Sequence, residues 1–247
     1  MFFMPGKQNI DGPFSQDRAM TMVQRRLTPE LARRNPEMFK QRIIEQLHSE
    51  TKFGGQAWDL LLSKGVVDKD SIVLDSDSWA SETLADQNNA NRTIIRLGIQ
   101  SLPKGMAEQL IFLHDRFQGD KELLYRLNHE ISHEVGAEAT KLCPKTGRLF
   151  STVIKMREYG QALSALGNLS FYEEKGTWVQ ANEDMVELVN MYLIDSEYLR
   201  KYLKFLSDPV FRKERQKIGL HTLPDDDRVI NALFASLEKG ILAFLNS

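Results

Sequence analysis

The sequence predicts an α+β protein that is mostly helical, with a small β-sheet early in the chain. Short β-branched segments are confined to residues 56–101, where they are typical of strands. Beyond Pro103, apolar residues recur at the three- and four-residue spacing of amphipathic helices. The composition, 42% hydrophobic and 27% charged over 247 residues, is that of an ordinary globular protein and excludes a wholly disordered chain.

Two helix starts mark the N-terminal part of the chain. Thr28 and Asn35 are each followed by a proline and a glutamate, the order expected at a helix N-terminus. The second start leads into an apolar stripe at helical spacing: Phe39, Ile43, Ile44 and Leu47. Gly54-Gly55 then interrupts the pattern. We therefore expect a helical extension over residues 1–52 and a second domain over residues 53–247.

The remaining elements follow from the same patterns. Strands are predicted at Ser71–Asp75 and Arg92–Ile99. The second segment is interpreted as a core strand in preference to an edge strand that borders a cleft. Helices are predicted over residues 104–118, 120–139, 151–167, 182–194, 196–206 and 225–245.

Charge and composition argue against several classes of protein. A net charge of −2 and a pI near 6.2 provide no basic field for nucleic acid. The single cysteine, Cys143, forms no intrachain disulfide. The longest apolar clusters are far shorter than the ~20 residues of a membrane-spanning helix, and the start of the chain does not resemble a secretory signal. We expect a cytoplasmic protein that binds neither nucleic acid nor membrane.

One five-residue motif indicates chemistry. Residues 129–133 read HEISH, an HExxH pattern. On a helix, His129 and His133 lie one turn apart on the same face, so both imidazoles can bind one metal ion. Glu130 beside them can accept a proton from water that the ion activates. Zinc suits such a site because it binds imidazole and tolerates an open coordination position.

The surrounding sequence places this motif on an amphipathic helix. With His129 set at 0°, His133 falls at about 40° and Glu130 at about 100° around the helix. An apolar group falls on the opposite face: Leu123, Leu124, Leu127, Ile131 and Val135. The motif therefore has the helical context that metal binding requires.

A catalytic zinc site needs a third protein ligand. The metzincin pattern fails because position 139 is Ala139, and no aspzincin-type GTxxD sequence follows. A glutamate on a later helix is the remaining option, and Glu183 and Glu187 lie one turn apart in the sequence NEDMVE. We predict Glu183 as the ligand because it opens the predicted helix after the capping residue Asn182. Glu187, one turn deeper, would then hydrogen-bond to a ligand histidine.

These motifs resemble a known family. HEISH followed by NEDMVE is similar to the gluzincin metallopeptidases, most of all to the group of the anthrax lethal factor catalytic domain. The resemblance covers roughly residues 90–195. It implies a zincin-like fold with an HExxH active-site helix and a helical C-terminal lobe. It further implies Zn²⁺ bound by His129, His133 and Glu183, with Glu130 as the general base.

The sequence departs from that family at one position. Relatives carry a tyrosine a few residues before the glutamate ligand to stabilise the oxyanion, whereas this chain has Gly176. Tyr172, Tyr159 and His221 remain as alternatives for this role.

The expected function is that of a zinc metalloendopeptidase-like hydrolase acting on a peptide or protein substrate. The alternative is a helical binding or regulatory module on a zincin scaffold that does not catalyse hydrolysis.

Overall fold

The computed structural model describes residues 27–102, 121–164, 175–217, 219–220, 223 and 226–247. Helices predominate in these residues, and one three-stranded sheet lies in the first half of the chain. The predicted class, α+β and mostly helical with a small early sheet, is therefore confirmed. The predicted helix over residues 104–118 lies outside the described residues.

The helices are α1 (Pro29–Arg34), α2 (Pro36–Glu50), α3 (Gly54–Ser63), α4 (Glu122–Leu142), α5 (Pro144–Glu158), α6 (Thr177–Ile194), α7 (Ser196–Ser207), α8 (Arg212–Lys217) and α9 (Asp227–Leu245). A 3₁₀ turn, Pro209–Phe211, precedes α8. The strands are β1 (Ile72–Asp75), β2 (Glu82–Asp86) and β3 (Asn89–Gly98).

The two predicted N-terminal helix starts are confirmed. The Thr28 hydroxyl accepts a hydrogen bond from the Leu31 amide, and the Asn35 carboxamide accepts one from the Met38 amide, both at 3.1 Å. Each side chain thereby satisfies an amide that has no partner within its helix. The apolar stripe of α2 is buried in the protein core through Phe39, Ile43 and Leu47.

The sheet has the strand order β1-β3-β2. Strand β3 runs parallel to β1 and antiparallel to β2, so the predicted core strand is the central strand of the sheet. Strand β2 was not predicted. Its sequence, ETLAD, is polar and mostly unbranched, and the strand exists because it pairs with β3 rather than through local propensity.

Two predicted helices have wrong boundaries. The helix predicted over residues 151–167 is α5, which begins at Pro144 and ends at Glu158, before Gly160 at φ 71°. The helix predicted over residues 182–194 is α6, which begins at Thr177 after Gly176 at φ 93°. Proline at a first helical position and glycine in the left-handed region account for these ends.

Helix α4 lies at the centre of the described structure. It contacts strands β2 and β3 of the sheet and several helices: α2, α3, α5, α6 and α9. Helix α2 contributes to the same continuous hydrophobic core as the later helices. The division into residues 1–52 and 53–247 stays a prediction. None of the described helices combines the length and the apolar character needed to span a bilayer.

Candidate metal centre

The HExxH residues of α4 point toward two different neighbours. His129 and His133 face α6, where their ring nitrogens approach glutamate oxygens. Glu130 faces the sheet, where its carboxylate accepts a hydrogen bond from Thr83 of β2. Successive helical residues are about 100° apart, so one helix can serve both sides. The polar side of α4 is therefore buried between α6 and the sheet.

Three side chains converge at the α4–α6 contact. One ligand atom each from His129, His133 and Glu183 lies within 4.8 Å of the others. Nε2 of His129 lies 3.3 Å from Oε2 of Glu183, and Nε2 of His133 lies 3.8 Å from Oε1 of the same carboxylate. Two imidazoles and one carboxylate are a donor set that suits zinc, and the spacing leaves room for an ion between them.

Glu187 contacts the other side of the His129 ring. Its Oε2 lies 3.1 Å from Nδ1 of His129, and its Oε1 accepts a hydrogen bond from the Tyr125 hydroxyl. The Asn190 carboxamide donates to Glu187 at 3.4 Å, and Asn128 donates to the Asn190 carboxamide oxygen at 2.6 Å. The carboxylate is therefore held by several groups and in turn orients the imidazole.

One reason for predicting Glu183 is wrong. The sequence suggested that Glu183 opens its helix after Asn182, whereas α6 begins at Thr177 and Glu183 lies in its second turn. Glu183 is 5% exposed, and so is not at a projecting helix end. It reaches His129 and His133 because α6 packs directly against α4. Asn182 instead places its amide nitrogen 3.4 Å from Nδ1 of His133.

Glu130 is buried and hydrogen-bonded to the sheet. The Thr83 hydroxyl lies 2.7 Å from its Oε2 and 3.2 Å from its backbone oxygen. Burial raises the pKa of the Glu130 carboxyl to about 7, although the charge of His129 and the Thr83 hydrogen bond oppose this rise. One turn later, Glu134 accepts a hydrogen bond from Thr93 of β3 at 2.9 Å.

The cluster concentrates negative charge around one imidazole. Burial disfavours a charged His129, but its hydrogen bonds with Glu183 and Glu187 raise its pKa well above the usual value. Burial and the nearby His129 lower the pKa of His133 to about 4. Burial opposes ionisation of Glu183, but the hydrogen bond with His129 holds its pKa below the usual value. The buried carboxylates therefore require a cation at this position, either a proton on His129 or a metal ion.

Sequence reasoning missed four residues around this cluster: Thr83, Tyr125, Asn182 and Asn190. Tyr125 lies four residues before His129, on the same face of α4, and Asn190 lies three residues after Glu187 on α6. Helical spacing from the predicted ligands was thus a signal that could have found both. No comparable signal existed for Thr83, because its strand was not predicted.

Tyr159 is the one candidate for oxyanion stabilisation that lies within the described residues. Tyr172 and His221 lie outside the described residues. Tyr159 directly follows α5 and is 83% exposed. Within the described residues, its hydroxyl makes no hydrogen bond to a ligand of the cluster.

No family model matches the sequence, and no curated protein or solved structure shows significant similarity to it.

Proposed function

We propose that the protein is a zinc-dependent metallopeptidase with a zincin-like arrangement around α4. The observation that carries this proposal is the convergence of His129, His133 and Glu183 within 4.8 Å, which matches the ligand set expected from HExxH and a later glutamate. When bound, a zinc ion at this position lowers the pKa of a coordinated water and polarises a carbonyl oxygen.

The protein residues then have separate tasks. Both histidines and Glu183 hold the ion, while Glu187 keeps the His129 ring in one orientation. Glu130, beside His129 in the chain, accepts the proton of the attacking water and later delivers it to the leaving amine. Thr83 holds the Glu130 carboxylate in position through its hydroxyl. The mechanism also needs a tyrosine or histidine that stabilises the oxyanion, for which Tyr172, Tyr159 and His221 remain the candidates.

The sheet supports the zincin-like arrangement. Strand β2 is an edge strand, antiparallel to the central strand, and its Thr83 contacts the motif helix directly. An edge strand beside the HExxH helix offers unpaired backbone groups to an extended peptide. A peptide or protein is therefore the proposed substrate.

A non-catalytic binding module is the second candidate. It is favoured by the way the protein itself satisfies the cluster: both ring nitrogens of His129 meet carboxylates, and Glu130 already has a hydroxyl partner. Such a module binds metal without turnover.

Metal analysis and peptide hydrolysis separate these functions. Purified protein dialysed against zinc is expected to hold about one equivalent, which His133→Ala abolishes. Digestion of a peptide library is then expected for the zinc-loaded protein and absent for Glu130→Gln, which keeps its zinc. Zinc binding without hydrolysis supports the second candidate, and full activity of Glu130→Gln contradicts the proposed mechanism.

A further inference from the structure

A groove of about 510 Å³ lies between α5 and α9. Its volume falls within the roughly 300–1,000 Å³ of small-molecule sites. None of the described residues that line it belongs to α4 or α6, the helices that carry the candidate metal centre. One face of α5 lines the groove at helical spacing: Lys145, Leu149, Thr152 and Met156. The groove is therefore separate from the cluster of histidines and glutamates.

The two helices run antiparallel along the groove. The Thr146 hydroxyl donates to the Ser236 carbonyl at 2.6 Å. A Cβ atom added at Gly240 would lie 2.3 Å from Thr146 Oγ1, so the helices approach closely at this point. Residues that follow Thr146 share the groove with residues that precede Ser236, which only antiparallel helices allow. The groove thus begins beside this contact and extends toward Met156 and Leu223.

The end of the groove beside Thr146 is cationic. Lys145 and Arg148 line it from the first two turns of α5, and Ser236 lines it from α9. Neither cation forms an ion pair with a described residue, and the described lining residues include no acidic side chain. An anionic group at this end would meet a guanidinium that can donate two parallel hydrogen bonds and an ammonium beside it.

The rest of the groove is mostly apolar. Leu149, Leu223 and Leu233 form a floor that is buried in the protein core. Met156 and Val229 are partly buried and pack against the same core. A hydrocarbon chain along this floor would gain free energy by removing apolar area from water.

Small side chains leave the groove accessible along its length. Thr152 of α5 and Ala232 of α9 both line it and are both exposed. Lys145 and Met156 are eleven residues apart on one helix, which corresponds to roughly 16 Å. Gln161, which follows α5, adds one amide at the far end. The groove therefore suits an elongated ligand with a charged group at one end.

We propose that this groove binds a single-chain amphiphile with a carboxylate head, as in a fatty acid. The carboxylate contacts Lys145 and Arg148, and the hydrocarbon chain lies over Leu149 toward Met156 and Leu223. The two cations select an anionic head, and the apolar floor selects a chain. The inference does not depend on the proposed peptidase, because no lining residue takes part in that mechanism.

Calorimetric titration of the full chain with fatty acid anions, below the concentrations at which they form micelles, tests the proposal. Hexanoate, octanoate and decanoate carry the same head on chains of increasing length. We expect each two-carbon extension to tighten binding by about tenfold, because two more methylene groups leave water.

Removing the two cations tests the head group. The double variant Lys145→Gln, Arg148→Gln changes two exposed side chains and is expected to weaken octanoate binding by at least about tenfold. Its affinity for 1-octanol, which has the same chain without the charge, should stay unchanged. Lys155→Gln is the matched control, since Lys155 is an exposed cation of α5 that does not line the groove, and it should bind octanoate normally.

Filling the groove tests the chain. Ala232→Trp places a large ring between the helices and is expected to weaken decanoate binding by at least about tenfold. Ala235→Trp makes the same change at another exposed position of α9, outside the groove, and should leave decanoate binding unchanged. Circular dichroism of both variants verifies that α9 is retained.

Tightening with chain length, together with losses in the double variant and in Ala232→Trp, supports the site. Failure of decanoate to bind, or binding that neither change weakens, overturns it. Binding that needs both cations but does not tighten with chain length indicates a site for anions alone, which also overturns the proposal. A wild-type dimer that forms without decanoate and is lost in Ala232→Trp would show that a second copy of the chain occupies the groove instead. These measurements involve neither zinc nor peptide hydrolysis, so failure of the peptidase proposal leaves them unaffected.

Discussion

Nδ1 of His129 lies 3.1 Å from Oε2 of Glu187, and Oε1 of the same carboxylate accepts a hydrogen bond from the Tyr125 hydroxyl. Glu187 therefore contacts the side of the ring that faces away from Glu183, which approaches Nε2. The two glutamates share one face of α6 but have different relations to the same imidazole. This difference leads to distinct expectations for their variants.

Glu183→Ala should lose nearly all zinc affinity, because it removes a proposed ligand. Glu187→Ala should weaken zinc binding by about 10- to 100-fold, as is usual when the group that orients a ligand histidine is removed. Competition titration with a chromophoric chelator measures both. Glu134→Ala, which removes a carboxylate that contacts Thr93 on the sheet side, is the matched control and should bind zinc normally. A larger loss in the Glu187 variant reverses the assignment of the ligand.

Tyr125→Phe should destabilise the metal-free protein by about 1.5–3 kcal/mol, the contribution of a hydrogen bond to a charged group. The buried Glu187 carboxylate loses its Tyr125 donor, while the ring volume stays nearly unchanged. Urea unfolding at neutral pH measures the free energy. Tyr159→Phe removes an exposed hydroxyl instead and should change stability by less than about 0.5 kcal/mol. Equal stabilities of the two variants would show that the Tyr125–Glu187 hydrogen bond contributes little.

Thr83→Val should shift the acidic limb of the kcat/KM profile to higher pH. The Thr83 hydrogen bond lowers the pKa of Glu130, so its removal raises that pKa, and a general base acts only when it is deprotonated. Activity is therefore lost at a higher pH as the solution is acidified. The measurement is a pH–rate profile of peptide hydrolysis by the zinc-loaded protein.

Thr93→Val is the control for this prediction. It makes the same chemical change on the neighbouring strand but removes a hydrogen bond to Glu134. Its acidic limb should stay at the wild-type pH. An identical shift in both variants would indicate a general effect of the sheet rather than a contact with Glu130.

Arg157→Met should destabilise the protein by about 3–5 kcal/mol, because it removes the guanidinium from a buried ion pair. The Asp184 carboxylate accepts hydrogen bonds from Arg157 at 2.5 and 2.6 Å, and from the amides of Leu163 and Ser164. Asp184 immediately follows Glu183, so this pair also anchors α6 beside the cluster. Chemical denaturation measures the loss.

A surface ion pair provides the comparison. Nζ of Lys121 lies 2.9 Å from Oε2 of Glu50, and both side chains are 42% exposed. Lys121→Met should cost less than about 1 kcal/mol, because water screens the exposed pair. A similar cost for both variants would contradict the energetic importance assigned to the buried pair.

Local spacing was sufficient to predict the two side-chain pairs of the candidate metal centre. His129 and His133 lie four residues apart, as do Glu183 and Glu187, and each pair necessarily shares one face of its helix. The caps at Thr28 and Asn35 were equally visible, because a cap depends on a few adjacent residues. These features follow from the chain's own backbone geometry.

The helix ends and the second strand were harder to predict from the sequence. The start of α6 was placed at Asn182 because a capping residue precedes an apolar run, but the helix extends back to Thr177. Strand β2 has too little β-branched character to be recognised, and it forms only by pairing with β3.

The sequence alone determined the mostly helical class with an early sheet, the helix caps, and the faces on which the histidine and glutamate pairs lie. Only the tertiary structure decided that Glu183 meets both histidines, that Glu187 meets Nδ1 of His129, and that Thr83 meets Glu130. The physical reason is the separation in sequence between the residues that determine each feature. Periodicity follows from backbone geometry over a few residues, whereas each of these contacts joins side chains 47 or more positions apart, through packing that no local pattern specifies.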